Sequence, residues 1–197
     1  MKNKLALVVS ISLVLLSFFL PTGCRQPMKV QPEPNEPQPV SAHFLAGLQA
    51  TKNYIAGNLA DYRLIIMLHS IESAGRNDFL AGFVEAFSQT GKREDGNKYA
   101  KVLEGAVTGS QFETAREMGA KHAQRLVTNS QIQDLIHGSI GLSGSIALGW
   151  KAGYIEGFKT QRVLDKHQGK IPNEQVQEEL YKEAAATYNA LRAATGR

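Results

Sequence analysis

The chain has 197 residues, 43% of them hydrophobic and 20% charged, the balance of an ordinary globular protein rather than a disordered or fibrous one. Its formal charge is +4, but from Ser41 onward 18 Lys and Arg face 16 Asp and Glu, a net of only +2 with no basic run, which excludes the clustered stripe of a nucleic-acid partner. The single cysteine, Cys24, excludes a disulfide scaffold and leaves no thiol after it to act as a nucleophile.

Lys2 and Lys4 precede an apolar run broken only by serines, from Leu5 to Leu20. That run is short for a bilayer span, which needs about 20 residues, and suits the core of a secretory signal. Leu20-Pro21-Thr22-Gly23-Cys24 follows. This junction, with small residues just before a cysteine, resembles the lipobox of bacterial lipoproteins. It departs from the family pattern at Pro21, where Leu is usual; Leu20 stands one place too early. The resemblance implies a signal peptide over 1–23, cleavage before Cys24, and acylation of the Cys24 thiol and of the new N-terminus. Several acyl chains hold a protein stably to a membrane, where one alone is marginal. Arg25 rather than Asp follows the cysteine, which by analogy with enteric bacteria slightly favours the outer membrane. The expected location is therefore the periplasmic face of an envelope membrane.

Residues 25–40 contain five prolines, at 27, 32, 34, 37 and 39. Proline fixes φ and lacks an amide donor, so residues 24–40 read as a linker without helix or strand. In polyproline-II geometry, at about 3.1 Å per residue, it reaches about 50 Å from the lipid.

From Ser41 the prolines stop until Pro172, no alternating strand pattern appears, and apolar residues recur at helical spacing. The reading is an all-α domain over 41–197, a bundle or array of five to six helices. Phe44, Leu48, Ile55, Leu59, Tyr62 and Ile66 predict one long or kinked helix over 41–73, ended by Gly75-Arg76-Asn77. Asn77 or Asp78 caps a helix over about 78–90, and Gly91 to Gly96 reads as a polar turn. A short helix follows over about 97–107. Ser110 and Glu113 have the spacing of a capping box opening a helix to about Thr128. The next helix is carried from Asn129 or Ser130 to about His167, and Asn173 caps the last, over about 174–194.

The most specific feature is an internal repeat. Residues 79–87 read FLAGFVEAF and residues 150–158 read WKAGYIEGF, 71 positions apart, with a poorer third copy around Met118-Gly119. On helices, Phe79, Phe83 and Phe87 form one i, i+4, i+8 ridge, and Trp150, Tyr154 and Phe158 form another. Gly82 lies beside the first ridge, and Gly153 and Gly157 beside the second, so each helix offers a bulky ridge and a shallow groove for packing or for an interface. Gly141, Ser145, Gly149, Gly153 and Gly157 recur every four residues and resemble a glycine zipper. In membranes such rows pack helices; inside a soluble domain they do the same, and Lys151 and Glu156 interrupt the apolar stretch. Residues 78–88 and 115–144 resemble the helical N-terminal domain of periplasmic FKBP-type prolyl isomerases. That resemblance implies dimerisation and client holding; no isomerase domain follows in these 197 residues.

The repeat places Glu85 and Glu156 at matching positions. If the copies pack about a pseudo-twofold axis, the two carboxylates meet, split their pKa values and support acid–base chemistry or ligand binding; otherwise each pairs separately with a base or an amide. The histidines, His43, His69, His122, His137 and His167, do not form a paired Glu-x-x-His set, so no metal and no cofactor is expected. There is no HExxH, no phosphate loop and no nucleophile elbow. The sequence thus predicts an envelope lipoprotein, anchored through lipid, whose helical domain binds a protein partner or itself and is not an enzyme. The alternatives are a ligand-binding or enzymatic domain built on Glu85 and Glu156, and a membrane-associated glycine-zipper protein.

Overall fold

Helix α1 (Ala42–Ile55) begins where the prolines end. Ser41 is extended, and its hydroxyl accepts the Phe44 amide at 3.1 Å, satisfying one of the donors that every helix start leaves open. The computed structural model describes residues 40–195; the expected signal 1–23, Cys24 and nearly all of the 24–40 linker lie outside the described residues. Seven helices follow α1: α2 (Asp61–Ser70), α3 (Ser73–Ser88), α4 (Arg93–Thr108), α5 (Ser110–Ala123), α6 (Asn129–Ser139), α7 (Gly144–His167) and α8 (Glu174–Thr195). No strand occurs among the described residues, so the all-helical class read from the sequence holds.

Among the described residues eight helices replace six because two long expected ones each break. Gly57, at φ +75°, closes α1, and the Asn58 amide turns back to the Asn53 carbonyl at 2.8 Å. Gly141, at φ +92°, lies in the break between α6 and α7. Apolar periodicity runs across both breaks, which is why spacing alone merges the helices. Gly75-Arg76-Asn77, read as a break, lies inside α3, where Gly75 leaves room for the His43 ring of α1. Gly96, read as the end of a turn, belongs to α4 and faces Phe87. The expected capping box at Ser110 does not form: Ser110 is already helical, and Glu113 turns instead to Arg116 and His69. The box that forms is Thr128 with Gln131, at the start of α6. Asn173 caps α8 as expected, accepting the Val176 amide at 2.9 Å.

The second half of the domain repeats the first. Helices α1 and α5 have 14 residues each, α2 has 10 and α6 has 11. In the first half α1 packs on α3, α3 on α4 and α2 on α4; in the second α5 packs on α7, α7 on α8 and α6 on α8. Both first helices end in a left-handed residue, Gly57 at φ +75° and Arg125 at φ +61°. The halves differ in their long arms: α7 and α8 have 24 and 22 residues where α3 and α4 have 16 each. Helix α7 also packs on α2 and α4, which joins the halves. The core follows: Phe79, Phe83, Phe112, Tyr154, Leu64 and Ile155 are all essentially solvent-free. No described helix is long and apolar enough to cross a membrane.

Candidate functional site

The repeat motif is first a packing device. A Cβ on Gly82 would overlap the Phe44 carbonyl of α1, and one on Gly153 would overlap the Phe112 carbonyl of α5. The two copies of the motif therefore press a glycine onto the same kind of backbone contact in each half. Gly47 of α1 answers against the Phe79 carbonyl, and Gly119 of α5 against that of Tyr154. Gly119, read as part of a third copy, thus belongs to the helix that receives the second. The glycine row continues inside the fold: a Cβ on Gly149 would come within 2.7 Å of the Ala106 carbonyl, and one on Gly157 would overlap that of Arg116. Gly141 lies outside α7, in the preceding loop. The aromatic ridges are core: Phe79 and Phe83 are sealed, Trp150, Tyr154 and Phe158 are buried, and Phe87 is half-buried against Phe83, with ring centroids 5.1 Å apart.

The structure does not bring Glu85 and Glu156 into one constellation. Their helices are not a closely packed pair, and the carboxylates share no hydrogen-bond partner. Glu85 lines an open groove with Phe44, Leu80, Val84 and Arg93, and its one described bond is from Gln89 on its own helix, at 3.4 Å. Glu156 is held on all sides. It accepts from the Tyr181 hydroxyl of α8 at 2.6 Å, Lys159 at 3.0 Å and Thr160 at 3.2 Å. Burial first, and then the Glu156 charge, push the Tyr181 hydroxyl well above its ordinary range, so it stays a donor. The Arg63 guanidinium lies over the Tyr181 ring, 3.7 Å from its centroid. Nη1 of Arg63 is buried without a hydrogen bond among the described residues, its ion-pair partner Glu178 lying at 3.9 Å, too long for one.

Three histidines are accounted for individually. His122 bridges α5, α6 and α7: Nε2 donates to Asn129 Oδ1 at 2.8 Å, which leaves Nδ1 to accept from the sealed Tyr154 hydroxyl. His43 fills the notch at Gly75. His69 stacks on Phe112 with centroids 3.9 Å apart, and its Nε2 lies 3.1 Å from Glu113. Burial lowers the His69 pKa below its ordinary 6.5, and Arg76 and Arg116 add to this; the Glu113 carboxylate opposes them but is half-exposed and shared with Arg116 at 2.7 Å. The unfolded chain therefore binds the His69 proton at a higher pH than the folded one. Stability should be fully present above about pH 6.5 and decline as pH falls below it. Thermal unfolding between pH 8 and pH 5 checks this, and the acid-side decline should shrink in His69→Gln; an unchanged decline would assign it to other groups. Among the described residues no group of three or more His, Cys, Asp or Glu could hold a metal ion.

The clearest outward-facing feature is the end of the α7–α8 hairpin, which the longer arms carry beyond the pattern of α3–α4. Leu164 is 51% exposed and Ile171 83% exposed, and with Val163 and Pro172 they border a groove of about 260 Å³. No spacing rule marked these residues, because the sequence reading placed them at the end of a helix and in a connection. No family model matches the chain, and neither a curated protein nor a solved structure does.

Proposed function

We propose that the chain is an exported lipoprotein, acylated at Cys24 and held to the cell envelope, whose helical domain is a protein-binding module and not an enzyme. The tether rests on the charged start, the short apolar run and the Gly23-Cys24 junction. The observation that carries the binding role is the apolar end of the α7–α8 hairpin: large side chains lie in solvent on a projection that the other half of the domain lacks. Apolar groups exposed beside a shallow groove are what an interface buries. Glu156, by contrast, already has three donors, which favours support of the fold over turnover.

Two measurements test the two parts. Palmitate labelling and membrane fractionation of the full chain should both be lost in Cys24→Ser; a chain that fractionates identically with and without Cys24 sinks the tether. A photo-crosslinker at Ile171 in cells should trap a discrete protein complex, and Leu164→Asp should abolish it while leaving helical content unchanged. Capture of nothing, or a complex indifferent to Leu164→Asp, sinks the binding role.

A further inference from the structure

We propose that the open face of α3 is a docking groove for an amphipathic helix of another protein. The inference is independent of the tether and of the hairpin end. The internal repeat supplies the argument. It aligns Leu80, Ala81, Val84 and Glu85 of α3 with Lys151, Ala152, Ile155 and Glu156 of α7. In α7 this face is covered by the chain itself. Helices α2 and α4 both pack on α7, Ala152 and Ile155 are solvent-free, and Lys151 pairs with Asp61 of α2 at 2.9 Å. Helix α3 packs closely on α1 and α4 alone among the described elements, so its copy of the face has no cover. Ala81 is exposed, and Leu80 and Val84 are half-buried. With Phe44 of α1 and Ala100 of α4 they line a groove of about 680 Å³. A helix covers this face where the fold completes it, and a helix laid in a groove is the matching mode of recognition here.

A second copy of the chain is the wrong occupant. Helix α6 is the counterpart of α2, 68 positions on: Gly57 matches Arg125, both left-handed, and the helix starts Ala60 and Thr128 coincide. Leu64 and Leu68 recur as the buried Ile132 and Ile136. Tyr62 and Ile65, buried in α2, become Ser130 and Gln133 in α6. Tyr62 lies against Tyr181 of α8, with centroids 6.4 Å apart, and Lys151 Nζ lies 5.6 Å from its ring, so these residues mark the side of α2 turned to the second half. The corresponding side of α6 is thus polar, like the outer face of a terminal repeat, and does not complement an apolar floor. At the rim of the groove Arg93 and Lys101 balance Glu85 and Glu104, so apolar contact rather than net charge selects the partner. Its helix should carry large apolar residues three or four positions apart, as Tyr62 and Ile65 stand in α2.

The probe is a fluorescein-labelled peptide of residues 59–72, in which Leu64→Lys and Leu68→Lys make the opposite side soluble. Its anisotropy is followed as the full chain is added in detergent, against a detergent blank. Saturable binding with a Kd below about 100 μM is expected. Ala81→Arg in the protein should weaken it at least about tenfold. Position 81 is an exposed helical one, and an unchanged urea midpoint shows that the variant folds. Tyr62→Ser with Ile65→Gln in the peptide, the residues found in α6, should weaken binding as much. No saturation at about 1 mM overturns the proposal. So does binding indifferent to Ala81→Arg, which would mean that the peptide displaces α2 from α7 instead. Crosslinks between two copies of the full chain, from a photo-crosslinker at Ala81, would hand the groove to self-association and overturn it as well.

Discussion

Gly153→Ala should destabilise the domain by about 3 kcal/mol or more, whereas Gly138→Ala should stabilise it by up to about 1 kcal/mol. Both are glycines within helices, and helix propensity alone predicts the same gain for each. The surroundings differ. A Cβ on Gly153 would overlap the Phe112 carbonyl and come within 3.1 Å of Ala115 Cβ, so α5 and α7 would have to separate. Backbone cannot rotate away as the end of a lysine can, and Phe112 is itself sealed in the core. A Cβ on Gly138 has nothing within 4 Å. Urea unfolding followed by circular dichroism measures both. Gly82→Ala should behave like Gly153→Ala, because it meets the Phe44 carbonyl in the corresponding place. If all three variants gained stability, the close approach of the paired helices would be refuted.

That contrast also shows what was legible in the sequence. The spaced glycines and aromatics announced close helix packing, and the repeat announced that it occurs twice. The partners were not legible. Gly47 stands in an unremarkable stretch, AGLQA, and nothing local says that it meets the Phe79 carbonyl. Such a contact is set by how two helices cross, and crossing is decided by side chains far apart in the chain. Residue correspondence between the halves was visible only within the repeated motif; Thr128 and Ala60 occupy matching helix starts with different chemistry, one capped by its side chain and the other not.

Helix ends were read well where one side chain controls them and poorly where a backbone torsion does. Asn173 caps as expected, and Ser41 caps the helix whose start was read there, each with its own oxygen. Gly57 and Gly141 break helices through positive φ, but Gly75, Gly96 and Gly138 sit inside helices without it, and composition cannot separate the two groups. Ser110 has the right spacing to Glu113, yet Glu113 finds Arg116 and His69, a competition that only the tertiary arrangement reveals. The Lys151–Asp61 pair was equally hidden, since its members are 90 residues apart.

Glu156→Ala should cost about 2–3 kcal/mol, and Glu85→Ala no more than about 0.5 kcal/mol, although the two occupy matching positions in the repeat. Removing the Glu156 carboxylate leaves the buried Tyr181 hydroxyl without its acceptor. It also leaves Lys159, only 13% exposed, without a counter-charge beside an arginine already stacked on the same ring. An unpaired, poorly hydrated cation is more costly than the lost bond itself. Glu85 loses a single long bond on an open face. A double-mutant cycle separates the parts: Tyr181→Phe should recover part of the Glu156→Ala loss, because the orphaned hydroxyl goes with it. Denaturant unfolding of the four variants supplies the numbers. Equal costs at Glu85 and Glu156 would mean that both acids serve one shared environment and would return a paired-carboxylate site to consideration. The expected asymmetry means instead that one motif was put to two uses, the second acid having become a bracket between α7 and α8, the two helices whose far end carries the exposed Leu164 and Ile171.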